Sequence, residues 1–261
     1  MNRPLVIKIG GSTLGEADST FRDVAALARQ GNVPVVVHGG GAEASRWLEA
    51  MHIPSRFERG LRVTDEPVLP VVVAVFAGLV NKRIVAAINA SGATAVGLSG
   101  VDGRLLTCRL ADPALGFVGE PIAVNAVAID ALCKAGLVPV IAPIGAVPVE
   151  GAADQLVNVN ADTVAGAIAA AVGGERLIFL TDIDGVRGRD GSIIPQLTAA
   201  EAAALIAEGV ISGGMIPKVE ACLHAAALGV PAQIVDGRLS GALLATAGAG
   251  TTVLPGTVVN G

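Results

Sequence analysis

Two lysines stand beside glycine pairs near opposite ends of the chain, Lys8 just before Gly10-Gly11 and Lys218 just after Gly213-Gly214. Between them lie a triple glycine, Gly39-Gly40-Gly41, and an alternating polar set, Asn158-Val159-Asn160-Ala161-Asp162. Glycine places no Cβ between a backbone N–H and a ligand, and at a helix start those N–H groups sit at the positive end of the helix dipole, where an anion is favoured. A lysine inside the apolar run Leu5-Val6-Ile7-Lys8-Ile9 is costly to bury unless an anion meets it. If the stretch 156–160 is extended, Asn158 and Asn160 share a face, and Asp162 stands at the following helix start. Phosphoryl transfer asks for this equipment: positive charge over the migrating group, alignment of the ends and little proton chemistry. Each feature also has a plainer reading on its own, as a snorkelling lysine, a tight turn or a helix cap.

Other chemistries fit less well. Gly39-x-Gly41-x-x-Ala44 formally satisfies a dinucleotide fingerprint and would suggest a nicotinamide-dependent oxidoreductase, but no acidic residue closes a next strand about 20 residues on. The segment 56–62 at that distance is polar and turn-like. There is no Gly-x-x-x-x-Gly-Lys-Ser/Thr loop and no Gly-x-Ser-x-Gly elbow. Arg62, between Leu61 and Val63 in a stretch that reads as a hairpin or exposed ribbon, is a candidate for a bidentate hold on a carboxylate.

These residues need a scaffold, and the apolar pattern supplies one. Buried strands are predicted at 5–9, 33–37, 93–98, 138–144, 177–180 and 231–235, with a last edge strand at 250–254. Helices are predicted at 19–29, 42–51, 127–135, 164–172, 198–209 and 219–228, with a long apolar one at 67–89 that reads as a central buried helix. Segments 105–109 and 116–124 read as a meander and 187–194 as a hairpin. Strand, glycine turn and helix in alternation predict an α/β fold with a mainly parallel sheet, whose ligands gather at the carboxyl ends of the strands.

Composition bounds the rest. With 261 residues, 52% hydrophobic and 16% charged, the chain has ample material for a core, and a net charge of −5 without a long basic run argues against a nucleic-acid partner. Cys108, Cys133 and Cys222 are scattered, and with His38, His52 and His224 they form neither a zinc pattern nor a disulfide framework. The chain enters a strand directly after Met1-Asn2-Arg3-Pro4, leaving no room for a signal peptide. Its apolar runs are cut by Gly, Pro or charge before the roughly 18 residues of a membrane span. The expectation is a soluble cytoplasmic protein with small-molecule ligands and no membrane partner.

Taken together, Lys8-Ile9-Gly10-Gly11, His38-Gly39-Gly40-Gly41, Gly60-Leu61-Arg62-Val63-Thr64, Asn158-Val159-Asn160-Ala161-Asp162, Thr181-Asp182 with Gly185-Val186, and Gly213-Gly214-Met215-Ile216-Pro217-Lys218 resemble the amino acid kinase family, in particular its N-acetylglutamate-phosphorylating branch. The resemblance implies a single domain over 1–261, a three-layer α/β/α sandwich with an acyl-amino-acid lobe at 1–175 and an ATP lobe at 176–261. It implies that Lys8 and Lys218 stabilise the migrating phosphoryl and that Asp162 orients both. Gly40, Gly41, Arg62, Asn158 and Asn160 would then hold the substrate. Gly10, Gly11, Thr181, Asp182, Gly185, Val186, Ile211 and Ser212 would line the nucleotide site. ATP with Mg2+ is the implied phosphoryl donor, the metal carried by the nucleotide and not by protein ligands. The acceptor would be the side-chain carboxylate of N-acetyl-L-glutamate, in arginine biosynthesis. Segment 57–81 is also similar to kinases of lysine biosynthesis that act on carrier-linked aminoadipate, and a non-catalytic nucleotide sensor would share the fold. Family members inhibited by arginine carry an extra amino-terminal helix that assembles hexamers, so a start at the first strand implies an arginine-insensitive homodimer.

Overall fold

The computed structural model describes residues 2–10, 18–245 and 249–254. Gly11, which the resemblance places at the nucleotide, lies outside them.

The first half of the chain alternates strand and helix as its apolar pattern predicts. β1 (Leu5–Ile9) leads to α1 (Asp18–Arg29) and β2 (Pro34–His38) to α2 (Gly41–Ala50), followed by a short ribbon, β3 (Phe57–Glu58) and β4 (Leu61–Arg62). The long apolar helix runs Val68–Ala90 in three joined pieces: α3 (Val68–Val73), a π-helical stretch (Ala74–Val80) and α4 (Asn81–Ala90). Next come β5 (Ala95–Ser99), β6 (Leu106–Leu110), β7 (Val118–Val124), α5 (Val127–Lys134), β8 (Val138–Ala142), β9 (Ile144–Val147) and β10 (Gln155–Val159). The described elements end with α6 (Ala161–Ala171), β11 (Arg176–Thr181), β12 (Gln196–Leu197), α7 (Ala199–Ala207), α8 (Met215–Ala227), β13 (Ala232–Asp236) and β14 (Thr251–Val253).

Eight strands form the central sheet in the order β12, β14, β13, β11, β1, β2, β8, β5. Every neighbouring pair is parallel except β13 with β14. Side chains alternate across a strand, so Ile7 and Ile9 of β1 face one side of the sheet while Val6 and Lys8 face the other. Ile7 and Ile9 pack with Phe21, Val24, Leu48, Ile84 and Ile88 of α1, α2 and α4. Val6 packs with Val164, Ile168, Val219 and Cys222 of α6 and α8. The result is the three-layer α/β/α sandwich, and the pleat alone directs Lys8 toward the layer made by α6 and α8.

Three features depart from the sequence reading. The expected strand 138–144 is two strands separated by Pro143, which has no N–H to donate; β8 joins the main sheet, whereas β9 turns away into a closed four-stranded barrel with β10, β7 and β6. The strand near the carboxyl end is not the edge, because β12, two residues long, pairs outside it through Gln196 with Thr252 and Leu197 with Val253. Val68–Ala90 is also long and apolar enough to cross a membrane by length and composition, with a mean hydropathy of 2.0, contrary to the expectation that every apolar run is cut short. In the fold its Val68, Val72, Val75, Phe76, Val80, Ile84 and Ile88 are buried in the core. At about 1.5–3 kcal/mol for each large apolar side chain, that packing accounts for the buried face of the helix.

Candidate active site

Lys8, Asp162 and Lys218 come together from three elements. Lys8 lies in the buried centre of β1 and is 7% exposed. Asp162 sits in the first turn of α6, which Asn160 caps by accepting from the N–H groups of Asp162 at 2.8 Å and Thr163 at 3.1 Å. Asn160 is thus the helix cap of the polar set, with its Oδ1 committed to the backbone. The dipole of α6 favours the negative charge of Asp162 at this position. Lys8 Nζ lies 2.5 Å from Asp162 Oδ1, and Lys218 Nζ lies 3.8 Å from Oδ2. Helix α8 begins at Met215, ahead of the 219 expected, which puts Lys218 within its first turns. Two ammonium groups share one carboxylate, so the cluster keeps a formal charge of +1 for a ligand.

A cavity of about 170 Å³, lined by Gly39, Gly40, Gly41, Arg62, Asn158 and Asn160 among others, reaches the start of α6 at Ala161, while Asp162 itself lines a second cavity of about 540 Å³ that shares Asn160 with the first. Arg62 is buried, and burial presses its guanidinium pKa downward. Its Nη2 donates to Gly41 O at 2.8 Å and Ser45 Oγ at 2.7 Å, its Nη1 donates to Ser55 Oγ, and its Cζ lies 4.6 Å from the centre of the Phe57 ring. Among the described residues no carboxylate pairs with it. A buried guanidinium held by neutral oxygens and an aromatic face is ready for a carboxylate ligand. Asn158, at the end of β10, donates from Nδ2 to Thr64 Oγ1 at 3.0 Å, and Thr64 Oγ1 donates to Arg62 O at 2.9 Å. This relay fixes Asn158 to the strand that carries Arg62.

The glycine loop is built by packing. A Cβ on Gly40 would lie 2.8 Å from the Phe76 ring, so that position excludes any side chain, whereas a Cβ on Gly41 would meet nothing within 4 Å. Gly41 therefore fronts open space, as a backbone that receives a ligand must.

Of the residues assigned to the nucleotide, Gly10, Thr181 and Asp182 lie where β1 and β11 end. Gly10 N–H donates to Leu180 O at 3.3 Å, and Thr181, buried, ties its hydroxyl to the backbone of Ile183. Asp182 and Ser212 are exposed. Val186 and Ile211 belong to the core by their side chains; Val186 N–H donates to Thr251 Oγ1 at 2.8 Å and Ile211 N–H to Leu205 O at 3.0 Å. Gly185 is packed so closely that a Cβ would lie 2.9 Å from Ile193 and 3.0 Å from Thr251 Oγ1.

Burial pushes the thiols of Cys108 and Cys133 up to about 11 and that of Cys222 well above its ordinary value. Among the described residues no group of three or more His, Cys, Asp or Glu is placed to hold a metal ion. The residues that the sequence reading did not assign to the site are Ser45, Ser55, Phe57 and Thr64 around Arg62 and Asn158. Only Thr64, the last residue of the Gly60 to Thr64 motif, carried a local signal.

A family model described as the amino acid kinase family matches residues 3–236. The chain is 48% identical to the acetylglutamate kinase of Ruegeria sp. (strain TM1040), over 92% of this chain and 84% of that relative. It is 49% identical to the acetylglutamate kinase of Acidiphilium cryptum (strain JF-5), over 92% of this chain and 85% of that one. A crystal structure of N-acetylglutamate synthase from Neisseria gonorrhoeae, complexed with coenzyme A and N-acetyl-glutamate, superposes with a TM-score of 0.83 at 27% identity, covering 97% of this chain and 59% of that one.

Proposed function

The chain belongs to the amino acid kinase family, and from that premise we propose that it transfers the γ-phosphoryl of ATP to the side-chain carboxylate of N-acetyl-L-glutamate, a step of arginine biosynthesis. The observation that carries this reading is the single buried carboxylate of Asp162 shared by Lys8 and Lys218 beside the Arg62 cavity.

In the reaction a carboxylate oxygen of the substrate forms a bond to the γ-phosphorus while the bond from that phosphorus to the β–γ bridging oxygen breaks, and ADP leaves with the electron pair. The nucleophile is already ionised at neutral pH, so no general base is needed. The protein's task is positioning and charge. Arg62 and Asn158 hold the acyl amino acid, with Gly40 and Gly41 offering N–H donors and Asn160 at the cavity wall. Lys8 and Lys218 lie over the migrating phosphoryl from two sides, and the burial of Lys8 strengthens its interaction with the developing charge. Gly10 and Gly11, the 181–186 loop and Ile211-Ser212 receive the nucleotide, the last through backbone groups. Mg2+ arrives with ATP as part of that substrate.

The same reading makes 1–175 the acyl-amino-acid lobe and 176–261 the ATP lobe, and the enzyme cytoplasmic, where both substrates occur. It also makes the enzyme a homodimer. The support is the Val68–Ala90 helix, whose most apolar window is 44% buried within one chain.

An ATP-coupled hydroxamate assay with N-acetylglutamate and with carrier-linked aminoadipate tests the proposal. Turnover of the first and not the second is expected. ATP binding without turnover of either would leave a nucleotide sensor and overturn it.

A further inference from the structure

His38 is wholly buried at the end of β2, directly before the glycine loop, and the phosphoryl-transfer scheme gives it no role. Its Nδ1 lies 2.7 Å from Gly39 O, and its Nε2 lies 3.1 Å from Asn81 Nδ2. Gly39 O can only accept, so Nδ1 carries the proton. Asn81 is oriented independently of the ring: its Nδ2 also donates to Val140 O at 2.9 Å, and its Oδ1 accepts from Lys82 Nζ at 3.0 Å. The amide nitrogen therefore faces Nε2, which must be the unprotonated acceptor. The ring is a neutral Nδ1–H tautomer, fixed by a residue 43 positions away.

Asn81 occupies a seat made for it. It follows the π-helical stretch Ala74–Val80, is fully buried, and lies against Gly97 of β5, where a Cβ would fall 1.9 Å from its Oδ1. The same π-helical stretch presents Phe76 to Gly40. One helix thus fixes the loop twice, through the Phe76 ring and through Asn81 and His38.

The consequence lies in the peptide joining Gly39 to Gly40. No described peptide is cis, and in a trans peptide the C=O and the following N–H point in opposite directions. His38 holds Gly39 O on the buried side. The Gly40 N–H, which finds no acceptor among the described residues, points the other way, and Gly40 lines the cavity with Arg62 and Asn158. We propose that His38 and Asn81 are positioning residues for phosphoryl transfer, which turn the Gly39 to Gly40 peptide so that its N–H donates to the oxygen between the acceptor carboxylate and the migrating phosphoryl. This rests on the kinase reading above and adds two residues to it. Neither residue touches the substrate; both act through a backbone donor whose value lies in being aimed before the charge develops.

The test combines a spectroscopic and a kinetic arm. Long-range 1H–15N spectra of the wild-type protein at neutral pH should show His38 as the neutral Nδ1–H tautomer; an Nε2–H tautomer or an imidazolium overturns the proposal. His38→Leu removes the donor to Gly39 O and should lower kcat by about 10- to 100-fold while the KM for ATP stays within about twofold. His38→Asn places an amide nitrogen where Nδ1 stood and should recover most of that kcat. Equal kcat in His38→Leu and wild type, or equal loss in both variants with Tm retained, overturns it. Should His38→Leu not fold, Asn81→Ala serves: a shift of the ring toward mixed tautomers together with lower kcat supports the proposal, and an unchanged tautomer contradicts it. A wild-type protein that does not turn over N-acetylglutamate would instead defeat the kinase reading, with the tautomer still reporting on the geometry.

Discussion

Lys8 Nζ, projecting from the centre of the sheet, lies 2.5 Å from Asp162 Oδ1 at the first turn of α6. The contact joins strand and helix layers through charges that are both almost fully buried. As a stabilising pair this is a poor investment, since desolvating two ions offsets most of their attraction. With Lys218 on the other oxygen, however, the carboxylate aligns two cations and leaves one positive charge in excess. The arrangement is explained by the anion it awaits.

Removing either lysine should therefore strike turnover. Lys8→Ala and Lys218→Ala are each expected to lower kcat by about 10²- to 10³-fold, with ATP affinity changed only a few-fold, because their charge matters most as the phosphoryl migrates. Asp162→Asn leaves Lys8 buried without a counter-charge and should also destabilise the fold by about 3–5 kcal/mol. Steady-state kinetics, nucleotide titration and denaturant unfolding read the three effects separately. Wild-type kcat in either lysine variant would refute the assignment.

Arg62→Lys tests the carboxylate hold. A lysine cannot reproduce the planar fork that reaches Gly41 O, Ser45 and Ser55 and stacks on Phe57. The KM for N-acetylglutamate should rise about 10- to 100-fold, with the KM for ATP nearly constant. A rise confined to ATP would place Arg62 at the wrong substrate.

Thr64→Val keeps the shape of a buried side chain and removes its hydroxyl. Asn158 Nδ2 then loses its 3.0 Å acceptor and Arg62 O its 2.9 Å donor. An increase of about 5- to 10-fold in the KM for N-acetylglutamate is expected, as for one lost hydrogen bond in a buried relay. Unchanged KM would mean that Asn158 is positioned without Thr64.

Gly40→Ala and Gly41→Ala should differ in kind. At Gly40 a methyl meets the Phe76 ring at 2.8 Å, so the variant should lose about 1–3 kcal/mol of stability as well as activity, and Phe76→Leu should restore part of the Tm. At Gly41 a methyl has room, so Tm should hold while activity falls. Equal Tm losses would show that the loop packs differently.

What was legible in the sequence was what is local. Lys8 before its glycines, the triple glycine and the Asn158 to Asp162 alternation carry their meaning in residue type and spacing, and the main strands and helices follow from apolar periodicity. The capping box of Thr198 and Glu201 at the start of α7 is local in the same way, two residues three positions apart. The remainder depends on distant partners. β12 is two residues long and is a strand only because β14 lies beside it. The barrel exists because the chain breaks at Pro143 and because Gly119 and Gly145 let Val157 and Cys108 approach too closely for a side chain. Ser45 and Ser55 have no local sign of their role toward Arg62, and the bond from Asn81 to His38 spans 43 positions.

The neutral state of His38 makes a thermodynamic prediction as well. Burial pushes its imidazole down to about 4, opposed by its bond to Gly39 O and assisted by the Lys82 ammonium. In the unfolded chain the ring titrates near 6.5. Between those values the unfolded state binds the extra proton, so folding stability falls as pH falls. The contribution is complete above about 6.5 and is lost progressively toward 4, by roughly 3 kcal/mol in all. Asp23, whose carboxyl is raised by burial, acts with the opposite sign as pH rises through its folded value, so the stability of wild type alone mixes the two. His38→Asn cannot titrate and leaves Asp23 in place. The difference in unfolding free energy between the two proteins, measured by denaturant from pH 7 down to pH 4, isolates the imidazole. Wild type should lose stability relative to His38→Asn across that interval, and a difference that stays flat would mean that His38 is not held as the neutral ring.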